Sequence, residues 1–140
     1  MARSEATQRA KATRPRNSRA KARPPLTRSK VLSTALRLAD HDGIEALSMR
    51  NIARELKVEA MSLYNHVKGK EDILDGLVDL VASEIDVPSS TRDWREAMRL
   101  RALSAHAILM RHPWATMLFV SRLNIGPHML RYKALGANLP

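Results

Sequence analysis

Four groups that suit phosphate and base contact crowd into a short stretch: Tyr64, His66, Lys68 and Lys70 follow closely on Ala60, Met61 and Ser62. Lysine ammonium groups, a phenol and an imidazole can all grip phosphate oxygens. The small or unbranched side chains before them let a backbone approach base edges closely. Ala60 and Met61 can touch a thymine methyl, Ser62 can bond a base or a phosphate, and Arg50 has the reach and fork for guanine O6/N7. Thr27 and Arg28 offer further phosphate partners. Each has an ordinary alternative: Arg50 as a solvated surface arginine, Tyr64 as a core aromatic. The combined spacing carries the reading, not any one residue.

Other chemistries find little support. With no cysteine, disulfides, thiolate metal sites and a cysteine nucleophile are excluded, and a reducing cytosol fits. The histidines at 41, 66, 106, 112 and 128 show no metal-ligand spacing such as HxxxH, and no nucleophile elbow or phosphate loop appears. We therefore expect no enzyme, no metal and no cofactor. No apolar run approaches the roughly 20 residues of a membrane span, so no membrane partner is expected. The chain of 140 residues suits about one domain.

The net charge of +10 is unevenly spread. Residues 1–25 hold eight lysines and arginines against Glu5 alone, +7; residues 26–92 come to −2 and residues 93–140 to +5. The first segment has no aliphatic side chain larger than alanine after Met1. It cannot bury enough to offset ordering entropy, so residues 1–25 read as a disordered basic arm. Such an arm binds polyanions by counterion release without reading sequence, or acts only as a solubilising leader. Its composition also describes a mitochondrial transit peptide.

The elements that position these groups are helical throughout. Apolar residues at Val31, Leu32, Ala35, Leu36, Leu38 and Ala39 trace an amphipathic helix over 27–41, with Thr27 as N-cap and Gly43 as the residue after its end. Ile44 and Leu47 return to the core. Ser48 caps a second helix with Met49, Ile52, Ala53 and Leu56 on one face. A third runs over about 59–66, with Leu63 and Val67 inward, and Gly69 breaks it. A fourth starts near Lys70, with Glu71 and Asp72 in its first turn. Its apolar set (Ile73, Leu74, Leu77, Val78, Leu80, Val81, Ile85) is too wide for one partner.

A break at 87–91 precedes a fifth helix over 93–111. His112-Pro113 interrupts it, with Pro113 suited to N1 of the next helix. A short sixth covers 114–122, and Gly126-Pro127 opens a seventh that reaches Leu135 before Gly136. The fold class is all-α: a three-helix DNA-binding domain plus connecting helix over 26–86, then an incomplete helical domain over 93–140.

Helices two and three are too short to form alone. Packed at a steep angle over Leu56 and Val58, they make a helix-turn-helix, in which the second helix can enter the major groove while the first crosses the backbone.

Residues 26–86, through "VLSTALRLADHDGIEALSMRNIARELKV", "AMSLYNHV" and "KGKEDIL", resemble the N-terminal DNA-binding domain of TetR-family transcriptional regulators. Residues 93–125, with "WREAMRLRALSAHAILMRHPWATML", resemble the start of the C-terminal domain of the tetracycline-repressor-like subgroup. The resemblance implies a cytoplasmic homodimer on a palindromic operator in double-stranded DNA, usually a repressor, released by a small-molecule effector. By position it places Arg50, Ala60, Met61 and Ser62 at bases and Thr27, Ser48, Tyr64, His66 and Lys70 at the backbone. Members named for tetracycline use a histidine near position 112 for magnesium–tetracycline. Here His106 and His112 lack matching partners, and each has a plainer reading, as a helix-face residue and as the stop before Pro113. The effector is therefore not assigned.

The chain departs from the family pattern in three ways. Lys57 stands where the turn commonly has glycine, the arm is longer than the motif requires, and the seventh helix is barely begun, which reads as a truncated copy. The alternative function is a nonspecific nucleic-acid-binding protein driven by the arm.

Overall fold

The structure is a computed structural model describing residues 23–88, 93–122 and 126–137, with side chains to residue 134. Seven α-helices follow one another: α1 (Arg28–Asp42), α2 (Met49–Leu56), α3 (Ala60–Leu63), α4 (Lys70–Ser83), α5 (Trp94–Arg111), α6 (Ala115–Ser121) and α7 (Pro127–Ala137). A 3₁₀ turn at Ile44–Ala46 links α1 to α2. No strand occurs among the described residues. Most of the arm expected at 1–25, and most of the break expected at 87–91, lie outside the described residues.

The caps explain the first boundaries. Thr27 Oγ1 accepts from Lys30 N–H at 3.1 Å, and Ser48 Oγ accepts from Asn51 N–H at 3.1 Å. Each satisfies one of the orphan donors at a helix start. Gly43 ends α1 with its N–H on Ala39 O and φ of 82°, a conformation in which a side chain would be strained. The chain then turns through Ile44–Ala46 and buries Leu47.

One core joins the first four helices. Val31, Leu32 and Ala35 from α1 meet Leu47, Ile52 and Ala53 around α2, Leu63 and Val67 around α3, and Ile73, Leu74 and Leu77 from α4. Each fully buried aliphatic side chain contributes about 1.5–3 kcal/mol, and this cooperation makes helices as short as α2 and α3 possible. Gly76 lets α4 lie close on α1, for a Cβ there would come within 2.8 Å of a Leu32 methyl.

The broad apolar face of α4 does find a second partner. Val78 and Ala82 pack with Met129 of α7, flanked by Leu118, Phe119 and Tyr132. Polar links bind the same layers. Asp79 Oδ1 accepts from the N–H groups of His128 and Met129, both at 2.9 Å, and so caps α7 from across the interface. Arg122 donates to Asp75 at 2.8 Å and to Glu71 at 2.6 Å. Burial works against its charge, but the hydrogen bonds with Glu71 and Asp75 outweigh it and hold Arg122 above its ordinary pKa.

Four differences from the sequence reading have local causes. α3 is a single helical turn, Ala60–Leu63, rather than a helix over 59–66; the chain continues through bends that bury Val67. α6 starts at Ala115, because His112, Pro113 and Trp114 form the turn before it. α7 runs through Gly136 to Ala137 rather than stopping at Leu135. Met110 and Met117, whose hydrophobicity alone would place them inside, are 68% and 73% exposed.

Candidate nucleic-acid interface

The α2–α3 corner is built by its backbone. Val58 N–H donates to Ala53 O at 3.0 Å and Lys57 N–H to Arg54 O at 3.2 Å, the paired bonds of a Schellman end. Lys57 sits at φ 56°, ψ 45°, where glycine is the comfortable residue. Asn51 Nδ2 donates to Ala46 O at 2.7 Å, and Arg54 donates to Asn51 Oδ1 at 2.8 Å, so the polar side of α2 is braced to the turn before it.

Leu63, fully buried, anchors α3 from beneath. Its opposite side faces water. Met61 is 75% exposed, with half-buried Ala60 and Ser62 beside it. Arg50 is exposed on the second residue of α2, and its guanidinium has no hydrogen bond or ion pair among the described residues. Tyr64 is half-exposed. Lys68 and Lys70 are exposed, and neither ammonium is hydrogen-bonded or within ion-pair distance of a carboxylate among the described residues. The imidazole of His66 is half-buried and also without a hydrogen-bond partner among them. Thr27 and Ser48 use their oxygens as caps, which leaves each hydroxyl hydrogen able to donate to an anion.

Arg28 behaves differently from the other candidates. Its guanidinium forms a fork on Asp72, Nη1 to Oδ2 at 2.7 Å and Nη2 to Oδ1 at 2.8 Å, and Nη1 also reaches His66 O at 3.4 Å. Asp72 Oδ2 further accepts from Lys68 N–H at 2.9 Å. The Arg28 hydrogen bonds, helped by the Lys68 N–H and by both positive charges, hold the Asp72 carboxyl at about 2, well below its ordinary value. The same hydrogen bond raises Arg28. A phosphate would have to compete with Asp72 for Arg28 and, more weakly, for the charge of Lys68, whereas it meets Lys70 without such competition. Asp72 was missed as a member of the site: the sequence shows it only as a dipole-favoured first-turn acid, and its partner lies 44 residues away.

The two histidines considered for an effector lie apart in role. His106 is exposed on α5. His112 is buried with Nδ1 2.6 Å from Asp40 Oδ1; a carboxylate only accepts, so Nδ1–H donates. Trp114 Nε1 donates to the same oxygen at 2.7 Å. His112 Nε2 lacks a hydrogen bond and faces Glu84 at 3.5 Å. His112 thus ties the end of α5 to α1 and α4. An open groove of about 440 Å³ beside α4, α5 and α7 is lined by Ser83, Ile85, Asp86, Val87, Pro88, Leu100 and Arg131, and by neither histidine. No His/Asp/Glu cluster among the described residues could hold a metal ion, and no helix among them is long and apolar enough to cross a membrane.

Comparison with known proteins adds the family. Residues 31–77, the span from the first turn of α1 to the middle of α4, match bacterial regulatory proteins of the tetR family. An HTH-type transcriptional regulator of Saccharopolyspora erythraea is 39% identical over 121 residues, 82% of this chain and 51% of that protein. The HTH-type transcriptional repressor DrrR1 of Streptomyces coeruleorubidus is 39% identical over 107 residues, 75% of this chain and 40% of that one. The solved structure of the TetR family protein ActR of Streptomyces coelicolor in complex with (S)-DNPA superposes with a TM-score of 0.74 at 32% identity, covering 82% of this chain and 57% of ActR. The chain spans about half the length of the curated relatives it matches. By its capped four-helix unit, its helix-turn-helix corner and these matches, the chain belongs to the tetR family of bacterial regulatory proteins.

Proposed function

We propose that the chain is a sequence-specific transcriptional regulator that reads double-stranded DNA with the α2–α3 corner. α3 lies in the major groove, with Ala60, Met61 and Ser62 at base edges and Arg50 on a guanine. Thr27, Ser48, Tyr64, His66, Lys68 and Lys70 hold the flanking phosphates. The observation that carries this reading is the free face of α3: Met61 is 75% exposed above a fully buried Leu63, so the turn is rigid from below and open from above. The exposed cations of Arg50, Lys68 and Lys70 around it favour a polyanion.

We infer further that two copies act as a cytoplasmic homodimer on a two-fold-symmetric operator, with half-sites about 34–36 Å apart. Repression released by a small molecule is the mode supported by relatives: one is named a repressor, and ActR has been solved with actinorhodin bound. The test is a binding series on a duplex recovered by selection. Replacing Arg50 by Ala costs about 1–3 kcal/mol at one symmetric base position and relaxes preference there. A uniform loss across all sequences would make Arg50 a phosphate contact and remove it from the reading set.

A further inference from the structure

The DNA reading leaves one exposed side chain just after α3 without a role. Asn65 follows Tyr64 in the turn after the helix, and its amide makes no hydrogen bond among the described residues. Its neighbours fix its direction. Leu63 is fully buried and Val67 is 3% exposed, and Asn65 stands midway between them. His66 N–H and Val67 N–H both donate to Leu63 O, at 2.9 and 3.0 Å, which keeps the chain wound past the end of α3. At about 100° per residue, two positions carry a side chain about 200° around the turn. Asn65 therefore points away from the core. Met61, two positions before Leu63 and 75% exposed, points away on the same side. Asn65 thus continues the open face of α3 by one more turn.

We propose that Asn65 is a specificity-determining residue that reads an adenine in the major groove. Its amide oxygen accepts from the adenine N6–H, and its amide nitrogen donates to N7. This rests on the assignment of α3 as the reader. An amide carries a donor and an acceptor side by side, and adenine presents the matching pair, N7 and N6–H, on one base edge. The residues already placed at bases supply apolar contact, a hydroxyl and a guanidinium, and none of them offers that pair. An uncharged amide gains little from a phosphate that Arg50 and Lys70 already attract. A side chain this short reaches a base only where the backbone lies close, and the small, half-buried Ala60 and Ser62 permit that approach. Four residues of helix rise about 6 Å, or one to two base-pair steps of about 3.4 Å. The adenine therefore lies one or two pairs from the base under Met61.

The experiment uses the full chain and its Asn65→Ala variant. Each is taken through selection from random duplexes, then titrated on the wild-type duplex with adenine or 7-deazaadenine, which lacks the N7 acceptor, at the assigned pair. The variant is expected to keep the rest of the motif and to lose about 5–150-fold of the preference for adenine at one symmetric pair. 7-Deazaadenine is expected to weaken the wild type and leave the variant unchanged. A variant motif identical to the wild type overturns the role of Asn65 and leaves α3 as reader. So does an equal loss on every sequence, which makes Asn65 a phosphate contact, and so does an equal penalty from 7-deazaadenine in both proteins, which assigns that adenine to another side chain. A wild-type pool with no shared motif overturns both Asn65 and α3.

Discussion

Asp72→Asn isolates the clamp that holds the segment between α3 and α4. In the wild type the carboxylate takes two hydrogen bonds from Arg28 and one from the Lys68 N–H, and its pKa falls from 3.8 to about 2. At about 1.36 kcal/mol per pH unit that fall corresponds to about 2.5 kcal/mol. Water around Arg28, 45% exposed, screens it to about 1–1.5 kcal/mol. A folded pKa below the unfolded one means the contribution is present above about pH 4 and is lost as pH drops through about 2. Urea unfolding followed by far-ultraviolet circular dichroism, run in steps from about pH 6 to about pH 2, measures it. Wild type is expected to exceed the variant by about 1–1.5 kcal/mol at the upper end, with the gap closing through the acid range. Parallel profiles for the two proteins would refute the reasoning, for then the fork contributes nothing to folding.

Three further substitutions test other joints. Lys57→Gly relieves about 1 kcal/mol of left-handed strain, partly offset by the extra freedom of glycine in the unfolded chain, so a net gain of about 0.5 kcal/mol is expected in the same urea assay; a loss would mean the lysine side chain stabilises the corner. Leu63→Ala removes the buried anchor of α3 and is expected to cost about 2–5 kcal/mol, together with DNA binding; full binding by a folded variant would detach the reading face from its support. Asp79→Ala deprives two α7 N–H groups of their acceptor and is expected to cost about 1 kcal/mol, seen as faster hydrogen exchange at His128 and Met129; unchanged exchange there would show another partner.

Local signals made much of the fold readable. Thr27 and Ser48 are cap types followed by apolar periodicity, and both cap as their chemistry dictates. Gly43 and the broad face of α4 were likewise informative, because positive φ and an excess of apolar residues each have few explanations. Features set by distant partners were not readable. The Arg28–Asp72 fork joins two helix starts 44 residues apart, and Asp40 gathers His112 and Trp114 across more than 70. α3 fell short of its expected length because burial of Val67 bends the chain after Leu63, and periodicity alone does not mark that bend. Exposure of Met110 and Met117 depends on which faces of α5 and α6 find partners, and hydrophobicity does not tell.

Selection from random duplexes, run with the wild-type chain and with Met61→Gln, tests the role of α3 most directly. The account predicts a two-fold-symmetric wild-type motif and, for the variant, the same motif changed at one symmetric pair of base positions. A wild-type pool with no shared motif, or a variant pool identical to it, contradicts the account.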